Sequence, residues 1–357
     1  MSEKPSLKKS AVVPRRSVRV SGKELVKTSF FGAEDSLPLV VEPLVEDLDL
    51  SAYANNNWGE LEAILYHHGA ILFRGFKMRH ARDLEALIAE VCGNSLDYVD
   101  QTSPRHKISG GIYTSTDYPA EQAIFLHNEN SYSSAWPMKI FFFCLTPATQ
   151  GGETPIADVR RVLKWIPPDI KASFQQKGWA LVRNFGDGFG LPWQAAFQTS
   201  EKSQVEEYCR AAGIRYEWKG DNRLRTFAAR AAIMKHPRTG QEVWFNHATF
   251  FHISTLAPTI REALLTEFRR EDLPYNTYYG DGTELEPAVL ECLRDAYRAE
   301  SASFRWEKGD VLMVDNMLVA HGRMPFSGPR KVLVGMADLF DSRKDLSIQE
   351  EHAKEDH

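Results

Sequence analysis

Leu126-His127-Asn128-Glu129-Asn130-Ser131 is the stretch from which the rest of this 357-residue chain can be read. His127 and Glu129 are one residue apart. Side chains at i and i+2 of a strand point to the same face, so an imidazole and a carboxylate here can reach one metal ion. A third ligand stands far downstream, in Asp315-Asn316-Met317-Leu318-Val319-Ala320-His321-Gly322-Arg323. Two histidines and one carboxylate with open positions left over suit non-haem Fe(II) that activates O2. Taken singly, each residue has a plainer reading: His127 as a satisfied strand histidine, Glu129 as a solvated charge. The pattern around them decides.

The composition is that of a globular enzyme. Lys and Arg number 43 against 48 Asp and Glu, a net charge of −5. That balance argues against nucleic acid as the main partner, because phosphate binding needs a concentrated basic face. No apolar run approaches the ~20 residues of a membrane span, and the N-terminus lacks the apolar core of a secretory signal. Cys92, Cys144, Cys209 and Cys292 have no C-x-x-C spacing and read as thiols in a reducing compartment. A cytoplasmic location is expected.

Along the chain, residues 1–27 are expected to form a flexible basic arm, 28–341 a single domain, and 342–357 a charged tail. Leu37 to Pro43 reads as a strand. Ser51 is a plausible N-cap for a helix running to His68, with Gly69 closing it. Ala70 to Phe73 is a buried strand, and Ala81 to Val91 an amphipathic helix. Cys92 to Gln122, with Tyr113 and Tyr118, is irregular. It reads either as a substrate-lining lid or as an ordinary surface loop. Lys139 to Leu145 is the most apolar strand. Helices follow from Asp158 and Thr199, and strands return at Val311 to Asp315 and Lys331 to Met336. Strands with helices inserted between them predict a mainly β fold, a double-stranded β-helix (jelly roll) with flanking helices. A doubly wound α/β sheet would need regular βαβ alternation and a Gly-rich phosphate loop, and neither is present.

His127-Asn128-Glu129, Gly151-Gly152-Glu153-Thr154 and His321-Gly322-Arg323 through Arg330 together resemble the TauD/TfdA family of Fe(II)- and 2-oxoglutarate-dependent dioxygenases. In order and spacing the chain is most similar to the branch with syringomycin-type and clavaminate-synthase-like biosynthetic hydroxylases. The resemblance implies that His127, Glu129 and His321 hold iron, with 2-oxoglutarate and O2 as cosubstrates. Related halogenases replace the carboxylate with a small residue, so Glu129 argues against halogenation. Arg330 matches the family arginine that binds the far carboxylate of 2-oxoglutarate. A planar guanidinium suits that contact better than the neighbouring Lys331. Thr154 matches the family threonine on the same carboxylate, although a threonine in a strand also satisfies β-propensity. Asn316 and Arg323 are expected to support the ligands by hydrogen bonds.

Substrate residues are read from weaker signals. Taurine-type enzymes carry a second arginine four residues after the cosubstrate arginine, and Val334 stands there. Tyr113, Asn246 and Val334 are candidate pocket residues, while His247 and His252 remain unassigned. The expected reaction is hydroxylation, or another oxidation, of an unactivated C–H bond in an amino acid or a derivative of one, free or tethered to a carrier protein. The alternatives are a catabolic dioxygenase of a sulfonate, ether or betaine, and a non-catalytic jelly-roll protein that keeps its metal for stability.

Overall fold

A computed structural model describes residues 25–32, 36–96, 106–115, 118–186, 188, 190–220 and 222–344. The chain is mostly β with helices between the strands. Its largest sheet orders eight strands as Val26–Phe30, Leu39–Pro43, Ala70–Phe73, Val311–Asp315, Ala135–Thr146, Lys331–Asp341, Ile112–Thr114 and Lys107–Ser109. A four-stranded sheet orders Ser301–Ala302, Ile156–Asp158, Val319–Arg323 and Ile124–His127. Another four strands, Arg215–Lys219, Arg223–Arg230, Trp179–Phe185 and Tyr275–Tyr279, form a sheet within the long segment between Asp158 and Val311.

Alternation along the central strands explains how the layers pack. On Ala135–Thr146, the side chains of Met138, Ile140, Phe142 and Cys144 enter one core, while Phe141 and Phe143 enter another. Val332 and Val334 join the first, and Leu333 the second. Leu312 and Val314 side with the first, and Val311 and Met313 with the second. A strand covered on both faces must be apolar on both, which is why this region reads as a continuous hydrophobic run. The second core is closed by the helices Leu50–Asn56, Trp58–His68 and Ala81–Cys92 through Leu50, Leu61, Leu65, Leu84 and Ile88. The first core includes the four-stranded sheet that carries His127 and His321. Each fully buried Phe or Leu side chain contributes roughly 1.5–3 kcal/mol. One charge sits within the most apolar strand: the buried Lys139 ammonium, bonded to Asp338 at 2.6 Å and Glu62 at 3.0 Å. These partners raise its pKa against the opposing effect of burial.

Several local expectations are corrected. The helix expected from Ser51 is two helices, Leu50–Asn56 and Trp58–His68, and Asp49 is the cap, accepting from the Ala52 N–H at 2.9 Å. The irregular stretch from Cys92 contains two short strands, Lys107–Ser109 and Ile112–Thr114, which extend the large sheet. The segment expected as an arm contributes Val26 and Lys27 to the first strand. The rest of that arm up to residue 24, and the tail from residue 345, lie outside the described residues. The four cysteines form no disulfide. No helix among the described residues is long and apolar enough to cross a membrane.

Candidate metal and cosubstrate site

His127 is the last residue of the Ile124–His127 strand, and His321 is its direct partner in the neighbouring Val319–Arg323 strand. Glu129 lies beyond the strand end, in the turn that contains Asn130 at φ 56°. Strand alternation therefore does not bring Glu129 beside His127, as the sequence suggested. Asn316 does so. Its Oδ1 accepts from the Glu129 N–H at 2.7 Å. Its amide nitrogen donates to the Glu129 and Pro137 carbonyls, both at 2.9 Å. The Asn128 amide donates back to the Asn316 carbonyl at 2.6 Å. One ligand atom from each of His127, Glu129 and His321 lies within 4.8 Å of the others.

The donor set fits a metal ion. The His127 Nδ1–H donates to the Phe125 carbonyl across 2.9 Å, which leaves the Nε2 lone pair to face inward; ligating histidines are commonly oriented this way. Glu129 and His321 are buried, with Glu129 Oε2 at 3.9 Å from His321 Nε2. Rings enclose the imidazoles: Phe250 at 4.3 Å from His127 and Phe142 at 4.9 Å from His321.

From these histidines a cavity with about 410 Å³ of empty space runs to Arg330, lined also by Ser115, Thr154, Arg323, Val332 and Val334. None of its lining residues is acidic. Arg330 stands just before the Lys331–Asp341 strand and shares the cavity with Val332 and Val334, two and four residues further on. Its Nε donates to the Gly152 carbonyl at 2.9 Å and its Nη1 to Ser115 Oγ at 3.3 Å. Burial, reinforced by the Arg323 cation, pulls its pKa down to about 10. Gly152 permits this seat: at φ +75°, a Cβ there would lie 3.0 Å from Arg330 Cδ. Thr154 is buried, and its hydroxyl oxygen accepts from Trp306 Nε1–H at 3.1 Å. A hydroxyl that already accepts still has one proton to give, and the cavity is where Thr154 has room to give it.

The remaining candidates divide. Arg323 also lines the cavity, and its guanidinium donates to the carbonyls of Tyr118, Pro119 and Gln122 at 3.0, 2.6 and 3.0 Å. It thereby ties the segment entering the His127 strand to the His321 strand. Tyr113 pairs with Val334 across the sheet, but it is not among the residues lining the cavity. Asn246 is not there either. Its amide donates to the Ala232 carbonyl and accepts from the Ala248 N–H, both at 3.0 Å. Sequence reasoning missed Trp306 and Ser115, and neither carries a signal that separates it from a core or loop residue. It left His247 unassigned. That ring is buried 5.6 Å from His127 and hydrogen-bonded to Ser131. Burial, with the two neighbouring imidazoles, keeps it neutral.

Residues 31–337 match the family described as "Taurine catabolism dioxygenase TauD, TfdA family". The chain belongs to the TauD/TfdA family. It is an Fe(II)- and 2-oxoglutarate-dependent dioxygenase. Among its relatives, the dapdiamide synthesis protein DdaC of Enterobacter agglomerans is 42% identical over 278 residues, covering 78% of this chain and 84% of that protein. A clavaminate synthase-like protein of Arabidopsis thaliana is 29% identical, covering 77% and 83%. PvcB of Pseudomonas aeruginosa shares the fold at 15% identity, with a TM-score of 0.54 over 90% of this chain and 94% of that one.

Proposed function

We propose that this TauD/TfdA-family dioxygenase oxidises an unactivated C–H bond of an amino acid or amino-acid-derived substrate in specialised biosynthesis, with His127, Glu129 and His321 as its metal ligands. The observation that carries the reading is the convergence of these three donors beside a cavity that His127 and His321 line and whose other end is Arg330. The scaffold is read as a jelly roll, because the large sheet and the ligand-bearing sheet share one core. Similarity to a dapdiamide synthesis protein supports a biosynthetic role over a catabolic one.

When bound, iron with 2-oxoglutarate and O2 supplies the oxidising power, and the protein supplies position and dryness. Glu129 brings the anion that balances the metal, and Asn316 fixes the backbone on which it stands. Arg330 offers its outer guanidinium nitrogens to the far carboxylate of 2-oxoglutarate. Thr154, oriented by Trp306, gives its proton to the same group. Phe142 and Phe250 keep water from the imidazoles.

Val334 makes one wall of the cavity apolar. An anionic headgroup against it would lose its hydration without gaining a partner, at a cost of several kcal/mol. Taurine and similar sulfonates are therefore not substrates. The substrate either presents a masked end to Val334, as an aminoacyl thioester on a carrier protein does, or has its carboxylate bound elsewhere. The test is a mass-spectrometric screen of free and carrier-bound amino acids, with Fe(II), ascorbate and 2-oxoglutarate, comparing product with succinate. Tight one-to-one coupling with taurine, or no coupled product from any amino-acid scaffold, would sink the reading.

A further inference from the structure

The Asn316 bonds that set the Glu129 turn need a fixed platform of their own. Asn316 stands in the turn between the strands Val311–Asp315 and Val319–Arg323. Its N–H donates to the Met138 carbonyl at 2.8 Å, and the Asp315 N–H to the Gly69 carbonyl at 2.9 Å. Asp315 Oδ1 accepts from the Met317 and Leu318 N–H groups at 2.9 and 3.0 Å. That oxygen alone would shape the turn, and an asparagine could supply it without burying a charge.

The second oxygen explains the carboxylate. Asp315 Oδ2 lies 3.0 Å from His236 Nε2, and both side chains are buried. His236 Nδ1 accepts from the Arg238 and Thr239 N–H groups at 3.2 and 3.1 Å. A ring nitrogen that accepts carries no proton, so Nε2 holds it and donates to Asp315. Two backbone donors on one side and a carboxylate on the other admit only this placement of the proton. Tyr66 packs edge-on against the ring at 5.7 Å. His236 opens the tip of the hairpin formed by Ile233–Lys235 and Glu242–Trp244. A separate piece of chain, 79 positions from Asp315, therefore braces the turn that carries Asn316.

We propose that His236 and Asp315 are positioning residues of the metal site. His236 donates to the buried Asp315 carboxylate, and Asp315 holds the turn. Asn316, within that turn, places Glu129 beside the two histidines. The strand that leaves the turn carries His321. The proposal rests on the dioxygenase reading above and extends its metal site to an outer layer on a separate hairpin.

Co(II), titrated into the full-length metal-free protein and followed by its d–d absorption, reads the site without turnover. Asp315→Asn keeps an acceptor for Met317 and Leu318 but sets an amide NH2 against the His236 Nε2–H. His236→Leu removes the donor. Each should weaken Co(II) at least about fivefold, less than the roughly 10- to 100-fold typical of groups bonded directly to a ligand, because the effect passes through Asn316. His236→Gln, whose amide nitrogen can donate to Asp315, should recover part of the loss. Asn316→Ala should weaken Co(II) more, and adding His236→Leu to it should cost nothing further, since both act through one turn. Val205→Ala, in the separate core of Phe185, Trp193 and Cys209, should lower the urea midpoint and leave Co(II) affinity unchanged. Wild-type Co(II) affinity in His236→Leu, full additivity with Asn316→Ala, or an equal loss in Val205→Ala would each overturn the proposal. Should Asp315→Asn fail to fold, His236→Leu and His236→Gln decide the matter. Wild-type affinity in His236→Leu, with Co(II) binding lost in His127→Ala and His321→Ala, discards the outer layer and leaves the dioxygenase reading intact. Undiminished Co(II) binding in both of those histidine variants strikes the ligand assignment itself, and this proposal with it.

Discussion

Replacing Arg330 with alanine separates ligand binding from stability in a way that the geometry makes quantitative. Arg330 spends its Nε on the Gly152 carbonyl and makes one long bond to Ser115. The outer fork is what remains for a carboxylate. Removing a buried, hydrogen-bonded charge partner costs about 2–5 kcal/mol. With one guanidinium nitrogen already committed to Gly152, the lower part of that range, about 2–3 kcal/mol, is the appropriate figure. It corresponds to a rise of about 30- to 150-fold in the apparent KM for 2-oxoglutarate. The metal-free, ligand-free protein should behave differently. Burial lowers the Arg330 pKa to about 10, so the charged form is disfavoured in the fold. Deleting the side chain removes that unfavourable charge along with two modest hydrogen bonds, and the net loss of stability should stay within about 1 kcal/mol. The assay pairs succinate formation against 2-oxoglutarate concentration with thermal unfolding at increasing 2-oxoglutarate. The wild type should gain about 2.7 kcal/mol at a hundredfold excess over Kd, and Arg330→Ala only about 0.3–0.9 kcal/mol at the same concentration. Arg330→Lys should recover only part, since a point charge does not reproduce the planar fork. A wild-type dependence on 2-oxoglutarate in Arg330→Ala would refute the assignment and point to Lys331 or Arg323.

Three further outcomes are expected. His127→Ala, Glu129→Ala and His321→Ala should each abolish coupled turnover and weaken Co(II) binding, with the far-UV circular dichroism spectrum preserved; wild-type succinate production in both histidine variants would show the ligands to be wrong. Trp306→Phe should raise the KM for 2-oxoglutarate by about two- to tenfold, because it removes one neutral hydrogen bond worth about 0.5–1.5 kcal/mol, and an unchanged KM would show that Thr154 needs no orienting partner. Burial lowers the His252 pKa from 6.5 to about 4; the unfolded chain then binds the extra proton first, so stability is complete above about pH 6.5 and falls by at most about 3 kcal/mol towards pH 4. His252→Asn keeps an acceptor for the Ser254 N–H but cannot titrate, and a urea-unfolding series that loses the same stability with acid in this variant would exclude His252 as the cause.

The meeting of His127, Glu129 and His321 was legible because two histidines and a carboxylate with one shared chemistry stood at informative positions. The means of their meeting was not. Period-two alternation suggested that a strand carries His127 and Glu129 on one face, yet the strand stops at His127. The turn is held by Asn316, whose amide bonds across the chain leave no trace in local sequence. Trp306 was hidden for a similar reason, since a tryptophan near a strand looks like core. Asn246 looked exposed to a ligand beside its aromatic neighbours, but the Ala232 carbonyl and Ala248 N–H occupy both ends of its amide. The mainly β character followed from apolar runs. The division of those runs between two cores depends on what covers each face, and that is decided by segments far away in the chain.

The bonds between Asn316 and the Glu129 turn join residues 187 positions apart. Contacts of such separation form late, because a long loop must close before they yield any stabilisation. On the ribosome, the Glu129 turn therefore emerges well before the segment that sets it. A partly made or clipped chain holds two potential donors but no fixed cradle for them. On the ligand assignment proposed above, a full donor set with its Glu129 turn held in place exists only once the segment from Asn316 to His321 has been made and has docked.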